Sequence, residues 1–256
     1  MALSDDGLVE LLHETALAVR GALQGVDDWG LAGPDGAHDG QHLSDLAADA
    51  AALEVLARAD VTVLSEESGR SGTEGGDVVI VLDPLDGSTN AARGIPWFAT
   101  SLCAVDREGL RAALIVDLPH GRTYTALRGS GSAVDGVPIW PTTCTDTGEA
   151  FVGVSGLPPR ALGWRQFRSL GAAALDLCAV AEGVLDAYVD CSASAHGPWD
   201  YLGGMLVCLE AGAIVGDALG RELLTLDPST RRLPMAAATQ PLFDALRTSR
   251  REWADQ

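Results

Sequence analysis

Apolar residues recur at helical spacing over residues 7–23, where Leu8, Leu11, Leu12, Thr15, Ala16, Val19 and Leu23 share one face. A second stripe, Leu46, Leu53 and Leu56, predicts a helix over 43–58. Residues 24–42 between them are rich in Gly and Asp and read as a long loop, of a length that is often functional or disordered. The pattern then changes to short unbroken apolar runs. Val61-Thr62-Val63-Leu64 predicts a strand ending at Ser65-Glu66-Glu67, and Val78-Val79-Ile80-Val81-Leu82 predicts a buried strand, with a Gly-rich turn at 70–77 between them. Strands at 97–105, 111–117 and 122–127, followed by a Gly-rich turn at 129–136 and Val137-Pro138-Ile139, predict an antiparallel meander.

Beyond residue 150 helices and strands alternate. A strand near 151–155 precedes a Pro-rich loop at 156–160. Helices follow at 170–183 and 200–211, with a strand near 185–190 between them. Short strands at 213–217 and 234–238 and a helix at 240–253 complete the chain. No internal repeat interrupts this mixed α/β pattern, which predicts layered sheets and helices. A chain of 256 residues, 47% hydrophobic, suits one unit of two closely packed halves, taken here as 1–150 and 151–256.

The strand at 78–82 runs straight into Asp83-Pro84-Leu85-Asp86-Gly87-Ser88-Thr89-Asn90. Two carboxylates therefore emerge where a core strand ends, and Pro84 disfavours helix at Asp83. Gly87, Ser88 and Thr89 can open a helix or form a nest of backbone N–H groups. Carboxylates bind hard divalent cations, and N–H groups at a helix start bind anions such as phosphate. Side by side, they suggest metal-assisted chemistry on a phosphate ester. An Asp-Pro-x-Asp-Gly string is also a good turn.

Two more acidic clusters bear on that choice. Glu66 and Glu67 also end a strand; if both strands run parallel in one layer, all these carboxylates meet at one sheet edge, where open α/β sheets place ligands. A solvated strand end is the alternative. Pro198-Trp199-Asp200 opens the apolar face Leu202, Met205, Leu206 and Leu209, so Asp200 either caps this helix or joins the acids. Asp45 and Asp49 lie on the second helix, where acids are usually surface residues.

Charge narrows the classes. The formal net charge is −19, a field that repels nucleic acid and anionic membranes and attracts metal cations. All 17 basic residues are Arg, and the absence of Lys removes Schiff-base chemistry, pyridoxal phosphate anchoring and the P-loop lysine. No Gly-x-Gly-x-x-Gly follows a strand, which weakens a dinucleotide-binding reading. Cysteines at 103, 144, 178, 191 and 208 are odd in number and form no Cys-x-x-Cys, which disfavours a disulfide framework or zinc site. A reducing compartment is the natural reading. Without a signal-peptide pattern or an apolar stretch near the roughly 20 residues of a membrane span, a cytoplasmic location is expected.

Asp83 to Asn90 resembles the first signature of the inositol monophosphatase family, and Trp199-Asp200-Tyr201-Leu202-Gly203-Gly204, continuing to Glu210-Ala211-Gly212, resembles its second. Ser65-Glu66-Glu67-Ser68 is similar to the family's metal-binding Glu-Glu motif, and Arg168-Ser169-Leu170-Gly171-Ala172-Ala173-Ala174 to its substrate-side helix start. Order and spacing agree across about residues 40–240. The resemblance implies an αβαβα sandwich, Mg²⁺ dependence, lithium sensitivity and a homodimer.

By position, the resemblance places Glu66, Asp83 and the Leu85 carbonyl on a first metal, and Asp83, Asp86 and Asp200 on a second. Asp49, with Asp45 as the alternative, would serve a third. Glu66, Asp83 and Ser88 would be catalytic, with Glu66 and the Ser88 hydroxyl orienting or deprotonating the attacking water. Gly87, Ser88 and Thr89 would bind phosphate. Asp86, Gly171, Ala172, Ala173 and Asp190 would meet the substrate. Four acids in one cleft are strongly unfavourable without cations, which independently favours bound metal. The expected activity is hydrolysis of a small polyol or sugar phosphate, inositol monophosphate first. Activity on 3′-phosphoadenosine 5′-phosphate, histidinol phosphate or fructose 1,6-bisphosphate is the alternative, and a noncatalytic metal- or phosphate-binding role is a further one.

Overall fold

The computed structural model describes residues 3–27, 29–30, 42–158, 160, 162–192 and 196–252. Most of the loop expected at 24–42, with parts of 156–160 and of the segment before Pro198, lies outside the described residues.

Helix α1 (Asp5–Gln24) starts where the Ser4 hydroxyl accepts from Gly7 N–H, with Asp5 and Asp6 at the positive end of the helix dipole. Its expected apolar face, Leu8 to Leu23, is buried. It packs against α2 (Leu43–Leu56). Both helices cover one face of an eight-stranded sheet, joined through a core that includes Leu8, Ala52, Ile80 and Leu114.

The strands of that sheet are β1 (Thr62–Ser65), β2 (Gly69–Gly72), β3 (Val79–Asp86), β4 (Ala99–Asp106), β5 (Gly109–Asp117), β6 (Arg122–Leu127), β7 (Gly131–Val134) and β8 (Val137–Pro138). Their order is β2-β1-β3-β4-β5-β6-β7-β8, and β1 and β3 run parallel with Ser65 opposite Leu82. The meander expected from 97–139 is present. Two turns expected at 70–77 and 129–136 contain paired strands instead, β2 and β7. Their glycines and short length carry little apolar signal, and pairing with a neighbour supplies what the side chains do not.

A short helix, α3 (Ser88–Arg93), follows β3. The second sheet has five strands, β9 (Phe151–Ser155), β10 (Gln166–Arg168), β11 (Ala187–Asp190), β12 (Ile214–Asp217) and β13 (Pro234–Ala237), in the order β10-β9-β11-β13-β12. Helices α4 (Ala173–Ala181) and α5 (Pro198–Ala211) fill the space between the sheets, and α6 (Gln240–Arg251) covers the outer face of the second. The layers are therefore αβαβα, as expected. Helices α4 and α5 approach closely because Gly204 faces Leu177; a Cβ on Gly204 would lie 2.7 Å from the Leu177 Cβ.

The end of β12 is fixed by Asp217, whose buried carboxylate accepts from Leu219 N–H, Leu233 N–H and the Arg221 guanidinium (2.7 Å from Nη2 to Oδ2). Burial pushes its pKa up, but Arg221 and the backbone donors outweigh burial and hold it below the usual carboxylate value. Because the folded value is the lower one, this stability is complete above the unfolded value, about 3.9, and is lost as pH falls through the folded value. Asp217→Asn is expected to cost about 2–3 kcal/mol at pH 7. That corresponds to a thermal midpoint lower by roughly 4–10 °C, with the difference from wild type shrinking as pH falls below the unfolded value of about 3.9.

Candidate active site

The parallel pairing of β1 and β3 brings the two acidic strand ends together. Glu66 follows β1 directly, and its N–H donates to the Leu82 carbonyl of β3. Asp83 and Asp86 are the last part of β3 itself, since the strand continues past Leu82. Between them the pairing with β4 shifts. Asp83 lies opposite Ser101 and Asp86 opposite Ala99, three residues against two. On a regular strand, residues three apart point to opposite faces. The bulge restores both acids to one side.

Asp200 arrives from the other half of the chain, in the first turn of α5, after Pro198 in the first turn where its missing N–H costs nothing. Its Oδ2 accepts from Gly197 N–H at 2.7 Å. The capping and cluster readings of Asp200 both hold, because carboxylate oxygens of Glu66, Asp83 and Asp200 lie within 4.8 Å of one another. The turn reading of Asp83 is likewise satisfied, since its Oδ1 accepts from Leu85 N–H at 2.9 Å.

Asp86 stands beside this trio. Its Oδ2 accepts from Ala174 N–H at 2.7 Å and ties β3 to the start of α4. Leu85, whose carbonyl was expected on the first metal, is buried. Gly87 is left-handed (φ +88°), and a Cβ there would sit 3.0 Å from the Trp97 carbonyl and 3.2 Å from the Ala172 Cβ. Only glycine fits without strain where the chain turns from the acids into α3. Ser88 at the start of α3 is half-buried, whereas Thr89 is exposed.

The acids repel one another and are short of water. Burial, then the Glu67 and Asp86 charges, push Glu66 up to about 8. Burial raises Asp86 to about 7 against the pull of Ala174 N–H. Asp83 and Asp200 are also raised well above the usual carboxylate value, by burial first and then by Glu66. Hard oxygen donors this close, with only His196 among the protein's cations acting on Asp200, fit divalent ions such as Mg²⁺.

A cavity of about 250 Å³ opens beside the acids. Glu66, Asp86 and Asp200 line one part, and Gly171, Ala172 and Ala173, all expected at the substrate, line another. Four further lining residues, Ser155, Asp176, Tyr188 and His196, were missed by sequence reasoning. Asp176 is buried with Oδ1 accepting from Trp97 Nε1–H, and burial raises it to about 8. His196 was findable as the single histidine four residues before Asp200.

Two expected positions lie apart from the acidic trio and the cavity lining. Asp190 does not front the cavity: it is fully buried, with Oδ1 accepting from Ser192 and Oδ2 2.6 Å from His196 Nδ1. His196 stands where Asp190 was expected. Burial lowers the His196 pKa, but the bond to Asp190 and the Asp200 charge outweigh it, and the net shift is upward. Asp49 accepts from the Ser65 hydroxyl and does not share the spacing of Glu66, Asp83 and Asp200. Asp45, the alternative, accepts from His42 N–H, and its charge contributes to raising Glu66.

An αβαβα sandwich that gathers buried carboxylates beside a strand-to-helix turn has the architecture of a metal-assisted phosphatase. The chain matches the inositol monophosphatase family over residues 9–252 and belongs to that family. Among curated relatives, the fructose-1,6-bisphosphatase/inositol-1-monophosphatase of Archaeoglobus fulgidus is 34% identical over 212 residues, covering 79% of this chain and 81% of its own. The Nus factor SuhB of Escherichia coli strain K12 is 30% identical over 227 residues, covering 79% and 84%. A solved structure from Pyrococcus horikoshii, described as a hypothetical protein with similarities for inositol-1 monophosphatase, superposes with a TM-score of 0.78 at 26% identity, over 94% of this chain and 96% of that one. The inositol monophosphatase of Anabaena gives 0.79 at 24% identity, over 96% of each. The protein is a phosphatase of this family, whose members are generally metal-dependent. No helix among the described residues is long and apolar enough to cross a membrane.

Proposed function

We propose that the protein hydrolyses a small polyol or sugar phosphate in a Mg²⁺-dependent reaction, with inositol monophosphate the first substrate to test. The observation that carries this reading is the convergence of Glu66, Asp83 and Asp200 from three separated stretches of chain onto one point. Glu66, Asp83 and the Leu85 carbonyl would hold one ion, and Asp83, Asp86 and Asp200 a second; Asp49, with Asp45 as the alternative, would serve a third. When bound, the ions would supply Lewis acidity and offset the negative charge of the acids and the phosphate.

The protein's own groups do the rest. Glu66 accepts a proton from the attacking water, and the Ser88 hydroxyl orients that water. Backbone N–H groups of Gly87 and Ser88, with Thr89 at the rim, hold phosphate oxygens. Gly171, Ala172 and Ala173 wall the leaving group. Positioning and charge stabilisation suffice for phosphoryl transfer to water without a covalent enzyme intermediate. A second reading, hydrolysis of fructose 1,6-bisphosphate, is favoured by the double name of the Archaeoglobus relative. The net charge of −19 disfavours a polyanionic partner such as nucleic acid. Lithium sensitivity, a cytoplasmic location and a homodimer belong to the same reading.

The test is phosphate release from a panel containing inositol 1-phosphate, fructose 1,6-bisphosphate, 3′-phosphoadenosine 5′-phosphate and histidinol phosphate. Release from one or more of these that disappears with chelator is expected. An inactive panel at saturating Mg²⁺ overturns the reading.

A further inference from the structure

We propose that His196, held by Asp190, is the side chain that reads the leaving group, donating a hydrogen bond to one of its hydroxyl oxygens. This inference rests on the phosphatase reading above. It begins with what Asp190 cannot do. Both of its carboxylate oxygens are filled by Ser192 and His196, and it has no exposed surface. A ligand in the cavity therefore meets the imidazole and not the acid behind it.

The imidazole is built into place. Its Nδ1–H donates to Asp190 Oδ2 at 2.6 Å in an ion pair whose imidazolium carries a proton on each nitrogen, and Nε2–H, held only by a long 3.3 Å contact with the Tyr188 hydroxyl, remains able to donate to a ligand. The backbone on both sides is pinned: Arg250 of α6 donates to the Asp190 and Ser192 carbonyls, and Arg232 N–H donates to the His196 carbonyl at 2.9 Å. Side chains locked this way lose little freedom when a ligand binds.

Charge gives the imidazole its role. Among the residues lining this cavity, Glu66, Asp86, Asp176 and Asp200 are acids, and His196 is the one basic side chain. Carboxylates accept from hydroxyl hydrogens but cannot donate to hydroxyl oxygens. The Ser155 and Tyr188 hydroxyls on the same wall can donate too, but the Asp190–His196 pair supplies a charged donor to a leaving-group oxygen without adding net charge to the cleft. A leaving group bearing hydroxyls gains this contact; one without them leaves the imidazole unmatched.

The experiment compares glycerol 2-phosphate with 2-propyl phosphate at saturating Mg²⁺. The two esters share a carbon skeleton and differ by two hydroxyls. Wild type is expected to prefer glycerol 2-phosphate. His196→Ala should raise KM for it about 10- to 100-fold, the range for one hydrogen bond to a charged group. The same variant should leave kcat/KM for 2-propyl phosphate within about threefold of wild type, since the lost contact has no counterpart there. Asp190→Asn should lose part of the discrimination, and the double variant, which leaves no unpaired buried charge, should discriminate no worse than His196→Ala alone. The Mg²⁺-induced thermal shift should persist in all three, since none of the acids assigned to the metals is changed.

Equal losses on both esters, retained discrimination in His196→Ala, or an Asp190→Asn effect that persists in the His196→Ala background would overturn the assignment. Wild type that hydrolyses both esters equally also overturns it. Wild type inactive on every phosphate ester instead removes the phosphatase reading beneath it.

Discussion

Replacing Asp83 with Asn is expected to lower Mg²⁺-dependent kcat/KM at least about 100-fold, because even groups that only support metal ligands cost 10- to 100-fold when lost. Asp83 is buried and shares the 4.8 Å cluster with Glu66 and Asp200. Asparagine keeps the shape and the acceptor for Leu85 N–H but removes the charge. The same change should make the metal-free protein melt higher than wild type at pH 8, since it deletes one of several repelling buried carboxylates. Activity and metal-free stability should thus move in opposite directions. Steady-state phosphate release and a chelator-treated melting curve check the pair; intact turnover would show that Asp83 holds no essential ion.

The second large effect concerns pH. In the metal-free protein, Glu66 is raised to about 8 and Asp86 to about 7, with Asp83 and Asp200 raised as well. Folded values above unfolded ones mean that the native state binds more protons than the unfolded chain between about pH 4 and 8. Stability must then fall as pH rises through that window. Chelator-treated protein should lose several degrees of thermal midpoint between pH 5.5 and 8, where about 2–4 °C corresponds to each kcal/mol. Mg²⁺ binds the deprotonated acids and expels those protons, so its stabilising shift should grow over the same range. Melting curves at both pH values, with and without Mg²⁺, test this. A metal shift that shrinks from pH 5.5 to 8 would contradict the assignment.

Much of this site is legible in the sequence because its chemistry is packed into contiguous strings. Asp83 to Asn90 joins a buried strand to a small-residue turn, and an apolar run that long declares itself by pattern alone. Glu66 and Asp200 are legible as strand and helix termini. What fails is whatever depends on pairing. Strand β10 is exposed along its whole length and has no apolar alternation, so only its partner β9 reveals it. Strands β2 and β7 are hidden by glycine for the same reason. Asp190 shows a different limit. Sequence spacing places an acid near the cavity, but which of two neighbouring side chains comes forward is decided by hydrogen bonds with Ser192 and Arg250 that no local pattern encodes.

The shift in pairing between Asp83 and Asp86 has a consequence for how this site tolerates change. Pro84 and Leu85 act there as spacers, and the extra residue sets the direction in which a carboxylate looks. Removing one of them would return the ladder to even phase and turn an acid away from its companions while every acidic residue remained in the sequence. Function is written here in the length of the chain as well as in its letters, so a scan that exchanges residues one for one would pass over it.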